Sequence, residues 1–221
     1  MAKEIYALGV GHNTPVLLDL AIGCGYTIAG LYHYNDERTG DVDHGFKILG
    51  SFDDLWQAGN CQGKNFLLTM GDLDVREKLA RKILSLGGRL PTLIHPSAVI
   101  STFAKISNIG VCIFPFVFVQ SDSIIGDNTV ILSHVNISHN TKISENCFIA
   151  GCAIVGAYTE VEEHVFIGQG ALTISGKCDI IGHHSFVGAG ALVTKAIKPY
   201  SIVAGFPARV IKTVGKGDCI G

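Results

Sequence analysis

The reading of the fold turns on IIGDNTVILSHVNISHNTKISENCFIAGCAIVGAYTEVEEHVFI, residues 124–167. Ile125, Ile131, Ile137, Ile143, Ile149, Val155, Val161 and Ile167 recur in it at six-residue intervals without a break. Neither an α-helix, with a period of about 3.6, nor an alternating strand, with a period of about 2, holds a spacing of six for so long. A fixed hexapeptide repeat supplies one short strand and one inward aliphatic per hexad, which is the signature of a parallel β-helix. Three hexads close a triangular coil, so residues eighteen apart share a column, and coils stack at about 4.8 Å. The ladder runs earlier through Ile94, Ile100, Ile106, Cys112 and Phe118, then slips by one residue. It resumes at Ile181, Val187 and Val193 after a slip of two.

Upstream of this ladder the period differs. EIYALGVG (4–11), YTIAGLYHY (26–34) and NFLLTMG (65–71) read as strands, TPVLLDLAIGCG (14–25) as a helix, and DVREKLARKILSLGG (74–88) as an amphipathic helix stopped by Gly87 and Gly88. Strand, glycine turn, helix and strand open a small Rossmann-like α/β unit with a parallel sheet, which binds ligands at the carboxyl ends of its strands. The predicted organisation is an α/β domain over residues 1–92 and a β-helix over 93–221.

Composition narrows the function classes. The 221 residues are 48% hydrophobic and 16% charged, with a net charge of −2. That balance gives no electrostatic footprint for nucleic acid or an anionic membrane. The early apolar run VLLDLAIGCGYTIAGL is broken by Asp19 and glycines and is no membrane span. No signal-peptide layout is present at the start, and the seven cysteines form no CxxC pair, so free thiols in a reducing cytoplasm are expected.

The ladder ends in SFVGAGALVTKAIKPYSIVAGFPARVIK (185–212), which resembles the carboxyl end of bacterial hexapeptide-repeat acyltransferases. LIHPSAVIS (93–101), ISHNTKISENCFIAGCAIVG (137–156) and MGDLDVREK (70–78) narrow the likeness. With the α/β front end, the chain is similar to the nucleotide-aminosugar N-acetyltransferases and sialic-acid O-acetyltransferases of that class. The resemblance implies a left-handed coil, contrary to the usual crossover hand, a homotrimer, acetyl-CoA between neighbouring β-helices, a nucleotide-linked amino sugar on the α/β domain, and no metal. It makes His139 the general base. The acid that usually follows the base corresponds to Asn140, an amide that offers a hydrogen bond but no charge. Coenzyme contacts correspond to Phe148, Gln169 and Ala189.

Coil arithmetic is consistent with this transfer. Ala157 follows His139 by eighteen residues, and the family position it matches offers a backbone N–H to the acetyl carbonyl. A base and an oxyanion donor in one column suit acyl transfer. Gln169 and Ala189 are twenty apart, one coil plus the two-residue slip. Cys147 and Cys152 lie nearby and read as packing thiols rather than nucleophiles. A zinc site on His134 and His139 would need a third histidine in register. His95, His164, His183 and His184 all miss whole-coil spacing from that pair.

At the other end, GVGHNTPVLLD (9–19) follows a strand and opens a helix, as a phosphate-cradling turn does. By the resemblance Gly11, His12 and Asn13 lie at the sugar-nucleotide loop, His33 and Tyr34 replace the family's paired aspartates, and Gly71 is a further contact. The sequence therefore predicts a cytoplasmic, trimeric, acetyl-CoA-dependent N-acetyltransferase acting on a nucleotide-linked 4-amino-4,6-dideoxy sugar. The alternatives are an O-acetyltransferase for sialic-acid-like sugars and a catalytically weak sugar-nucleotide-binding protein.

Overall fold

The structure, a computed structural model, describes residues 3–59 and 61–215. The chain divides into two compact units, the first ending at Leu93 and the second beginning at Ile94. In the first unit β1 (Lys3–Leu8) lies at the heart of a sheet, between β2 (Tyr26–His33) and β5 (Phe66–Leu68), and pairs with both in parallel. Beyond β2 come β4 (Phe46–Ser51), also parallel, and β3 (Val42–Asp43), which forms an antiparallel hairpin with β4. Ile5, Ala7, Leu8, Leu31 and Ile48 are fully buried, as expected of parallel strands covered on both faces. The sequence patterns had predicted neither this hairpin nor the short helix that follows it.

Each helix starts where its first residues allow. The helix α1 (Thr14–Gly23) has Pro15 in its first turn, where the missing N–H costs nothing. The short α2 (Phe52–Gln57) is closed by a reciprocal capping box between Ser51 and Asp54. In α3 (Leu73–Ser85) the Asp72 carboxylate accepts from Val75 N–H at 2.9 Å. Its far end is a Schellman turn: Gly87, at φ 74°, donates to Leu84 O, and Gly88 donates to Ile83 O.

The second unit is a parallel β-helix of three sheets. The first face carries outward Val99, Phe118, Asn136, Ile154, Leu172 and Leu192; the second carries Lys105, Ile124, Lys142, Glu160 and Ile180. The third carries Cys112, Val130, Phe148, Phe166, Phe186 and Ile202, and ends in the antiparallel hairpin 201–205/208–213. Partners such as Val130 and Phe148 are eighteen apart, the coil length expected. Ile125 to Ile167 form an inward row no more than 1% exposed. Each such side chain is worth about 1.5–3 kcal/mol of transfer free energy.

Two details refine the ladder. The one-residue slip falls between Ile106 and Ile113, not after Phe118. Ile106 pairs with Ile125 and Ile113 with Ile131, so Ile113 and Val119 point inward, while Phe118 stands 42% exposed. The two-residue slip lies between Thr173 and Ile181, where Val161 pairs with Ile181. The corners obey the same count. Phe116, Asp122, Asn128, His134, Asn140, Asn146, Cys152, Tyr158 and His164 all have φ between 53° and 62°. Left-handed backbone at every sixth residue turns each coil, and asparagine bears it better than most side chains.

Candidate functional site

Asn140 is one of these corner residues, at φ 54°, and its position sets up His139. The Asn140 amide oxygen lies 2.9 Å from His139 Nδ1 and accepts its proton. The imidazole is thereby held with Nδ1 protonated and Nε2 as the basic nitrogen. The ring also meets Tyr158 edge-on, with centroids 5.3 Å apart, and the His139 backbone N–H donates to Gln120 Oε1 at 3.2 Å. His139 is half-buried and Tyr158 is 62% exposed, so the imidazole faces solvent from a braced position.

Ala157 sits in the His139 column on the next coil, where Tyr158 N–H reaches back to His139 O. Its backbone N–H, however, is already engaged: it donates to Ser175 Oγ at 2.9 Å. The neighbouring Gly156 N–H donates to Thr173 Oγ1 at 2.7 Å. The expected oxyanion donor is thus engaged within the chain, because one N–H carries one proton and Ser175 Oγ accepts it.

The expected coenzyme residues lie elsewhere on the prism. Phe148 is on the third face, stacked on Phe166 at 5.2 Å, and Phe166 stacks on Phe186 at 4.6 Å. Gln169 and Ala189 do share a corner: Phe166 pairs with Phe186 across the two-residue slip, and Gly190 N–H donates to Gln169 O. That corner joins the third face to the first, whereas His139 stands where the first face turns into the second. A single copy of the chain therefore brings His139 and Ala157 together but keeps them one face away from Gln169 and Ala189.

Other sequence candidates resolve simply. His134 stacks on Phe116 at 5.0 Å, on a different corner from His139. Cys147 is wholly buried, and desolvation pushes its thiol up to about 12, so it stays a neutral packing group.

In the first unit the loop after β1 opens a cleft of about 340 Å³. Gly11, His12, Asn13, Tyr34 and Gly71 line it, with Phe52, Thr69 and Met70. The loop is held by two threonines: Thr14 Oγ1 accepts from Gly11 N–H at 2.9 Å, and Thr69 Oγ1 donates to Gly9 O at 2.9 Å. Gly9 has φ 108°, and a Cβ there would lie 2.6 Å from Thr69 Oγ1, so only glycine fits. The buried Arg76 guanidinium donates to Leu68 O at 2.7 Å and steadies the start of the 69–71 loop. Among the described residues no Lys, Arg, Asp or Glu lines the cleft; its ligand would be met by loop amides, the α1 start and aromatic walls. His33 is the exception among the predicted contacts. It is 7% exposed, packs at 4.3 Å on Tyr34, bonds Asn35 Oδ1 through Nδ1 at 2.7 Å, and is not in the lining.

Sequence reasoning passed over Tyr158, Ser175 and Phe52. Tyr158 and Ser175 lie one coil beyond Asn140 and Ala157, so the same column count reaches both. Among the described residues no helix is long and apolar enough to cross a membrane.

No protein-family model matches the chain. The GDP-perosamine N-acetyltransferase of Escherichia coli O157:H7 is 28% identical over 211 residues, covering 91% of this chain and 92% of its own. A crystal structure of a histidine-to-asparagine mutant of perosamine N-acetyltransferase from Caulobacter crescentus, in complex with CoA and GDP-perosamine, superposes with a TM-score of 0.85. It shares 28% identity and covers 97% of each chain. The acyl-[acyl-carrier-protein]–UDP-N-acetylglucosamine O-acyltransferase of Nautilia profundicola is 31% identical over 86 residues, 39% of this chain. This chain spans about a third of the length of such curated relatives, 32% in that case.

Proposed function

We propose that the chain is a hexapeptide-repeat acyltransferase that transfers the acetyl group of acetyl-CoA to the amino group of a nucleotide-linked 4-amino-4,6-dideoxy sugar. The observation that carries the reading is the braced imidazole: His139 holds its Nδ1 proton on Asn140 Oδ1 at 2.9 Å and presents Nε2 outward. The near-full-length likeness to enzymes named for GDP-perosamine supports the choice of acceptor. It also supports a left-handed coil.

In this mechanism the neutral sugar amine attacks the thioester carbonyl directly. The new C–N bond forms, Nε2 of His139 removes the amine proton, and collapse of the tetrahedral adduct breaks the C–S bond and expels the CoA thiolate. Orientation of two bound substrates supplies much of the acceleration. The nucleotide occupies the cleft of the first unit, with Gly11, His12, Asn13 and Gly71 about the phosphates and sugar and Tyr34 against the base.

The working form is a homotrimer. The first face (Val99, Phe118, Ile154, Leu172) and the third (Phe148, Phe166, Phe186) both present apolar rows, while the second carries Lys105 and a Lys142–Glu160 ion pair at 2.6 Å. Two different sticky faces are what a closed heterologous ring requires. Packing the first face of one copy on the third face of the next completes a site from two copies, His139 from one and the Phe148 row from the other. In this reading the reaction runs in the cytoplasm, where the chain's cysteines stay reduced.

The test is CoA release by the purified protein with acetyl-CoA and a panel containing GDP-perosamine, UDP-linked 4-amino sugars and hydroxyl acceptors. Turnover confined to 4-amino sugars, with one acetyl gained on nitrogen by mass spectrometry, is the expected result. Turnover of hydroxyl acceptors alone sinks the proposal.

A further inference from the structure

The corner that carries His139 has most of its backbone donors spoken for. Gly156 N–H goes to Thr173 Oγ1 at 2.7 Å, Ala157 N–H to Ser175 Oγ at 2.9 Å, Tyr158 N–H to His139 O at 3.4 Å and Gly176 N–H to Ala157 O at 3.3 Å. Acyl transfer at this corner nevertheless develops negative charge on the carbonyl oxygen and calls for a donor aimed at it. Two protons on the same column have no acceptor among the described residues, both on Ser175: its backbone N–H and its hydroxyl hydrogen, of which only the hydroxyl is polarised by the Ala157 amide.

We infer that Ser175 is a catalytic residue, its Oγ–H donating to the carbonyl oxygen of the thioester as that oxygen becomes an oxyanion. The inference rests on the acetyltransferase reading given above. Three observations carry it. Ser175 lies two coils from His139 in the same column, since His139, Ala157 and Ser175 follow at eighteen-residue steps and each successive coil is bonded to the last. It is exposed, at the start of the loop that absorbs the two-residue slip, so nothing in its own coil covers it. Its oxygen accepts from the Ala157 amide, which leaves its own hydrogen pointing elsewhere and makes it a stronger donor through cooperative polarisation.

The amide expected to hold the oxyanion thus acts at one remove, by polarising the serine. In the step itself the amine lone pair forms the C–N bond and the carbonyl π pair moves onto oxygen. Ser175 donates a hydrogen bond to that oxygen without surrendering its proton. The pair then returns to re-form C=O, the C–S bond breaks and the thiolate leaves, and the amine proton resides on His139 Nε2.

The Ala157 amide makes the test sharp, because removing the serine releases that N–H. If the amide were the true oxyanion donor, with Ser175 only occupying it in the absence of substrate, Ser175→Ala would match or exceed the wild type. If Ser175 is the donor, Ser175→Ala loses roughly 10- to 100-fold in kcat, with CoA binding by calorimetry and Tm unchanged, while Ser175→Thr stays within about threefold. The assay is steady-state CoA release with GDP-perosamine and the other 4-amino nucleotide sugars on wild type and both variants. Wild-type turnover matched by Ser175→Ala overturns the Ser175 assignment alone. A wild type that turns over none of the amino sugars overturns the acetyltransferase reading, and the assignment with it.

Discussion

Replacing Asn140 by Asp adds a charge beside the imidazole and changes little else. Aspartate tolerates the left-handed corner as asparagine does, so the φ of 54° is kept without new strain. It also keeps an oxygen where Asn140 Oδ1 now sits, 2.9 Å from His139 Nδ1. The added negative charge lies about 4 Å from the centre of the imidazolium, worth about 1 kcal/mol in the water-like surroundings of this exposed corner. At 1.36 kcal/mol per unit, that is about 0.7 of a pH unit in favour of the protonated ring. Because the carboxylate stabilises imidazolium, the rising acid limb of kcat/KM moves to higher pH by that amount. The measurement is kcat/KM across about pH 5–9 with acetyl-CoA and a 4-amino nucleotide sugar, with Tm taken for each variant. Asn140→Ala is the companion: it removes the acceptor for Nδ1, and kcat falls about tenfold as the ring loses its anchored tautomer. An unmoved acid limb in Asn140→Asp, together with wild-type kcat in Asn140→Ala, would refute the reasoning that this side chain governs the base.

His139→Ala should lower kcat about 10²- to 10⁴-fold and leave acetyl-CoA binding by calorimetry unchanged, the mark of a proton-transfer role. Ile149→Ala empties a fully buried inward position and should cost about 2–5 kcal/mol in denaturant unfolding of the β-helix. Gly9→Ala places a methyl 2.6 Å from Thr69 Oγ1 at φ 108°, so nucleotide-sugar affinity should fall at least tenfold while acetyl-CoA affinity holds. At pH 8 a small alkylating reagent should spare Cys147, whose thiol is pushed to about 12 by burial, in a mass-spectrometric map of the native protein, and label it once the protein is denatured.

What could be read from the sequence was whatever depends on counting. A six-residue period is a property of the chain, and it located the inward row from Ile125 to Ile167 and the shared corner of Gln169 and Ala189. It misplaced the first slip because Cys112 and Ile113 are both apolar and both buried, so pattern alone cannot say which faces the axis. Side-chain engagement was not legible. Whether the Ala157 amide is available depends on where Ser175 points, and whether His33 reaches the cleft depends on Asn35 drawing it down. The change from the usual acid to Asn140 looked like a simple loss of charge. The corner geometry adds a second demand on that position, a left-handed backbone, which an asparagine meets while still fixing the tautomer.

The regular corner has a consequence for how such a chain tolerates length changes. From Ile113 to Thr173 the hexads within the stretch pair at eighteen-residue steps, and the turning residue recurs on the same beat. Deleting a single residue there would turn every later aliphatic outward and hand the left-handed corners to side chains that resist them. Near residues 107–111 and 174–179 the chain already absorbs one and two extra residues without breaking the pairing on either side. Those two loops are the places where peptide tags or linkers can be inserted with the coil intact. The second borders Ser175, so insertion there would reach the chemistry before it reached the fold.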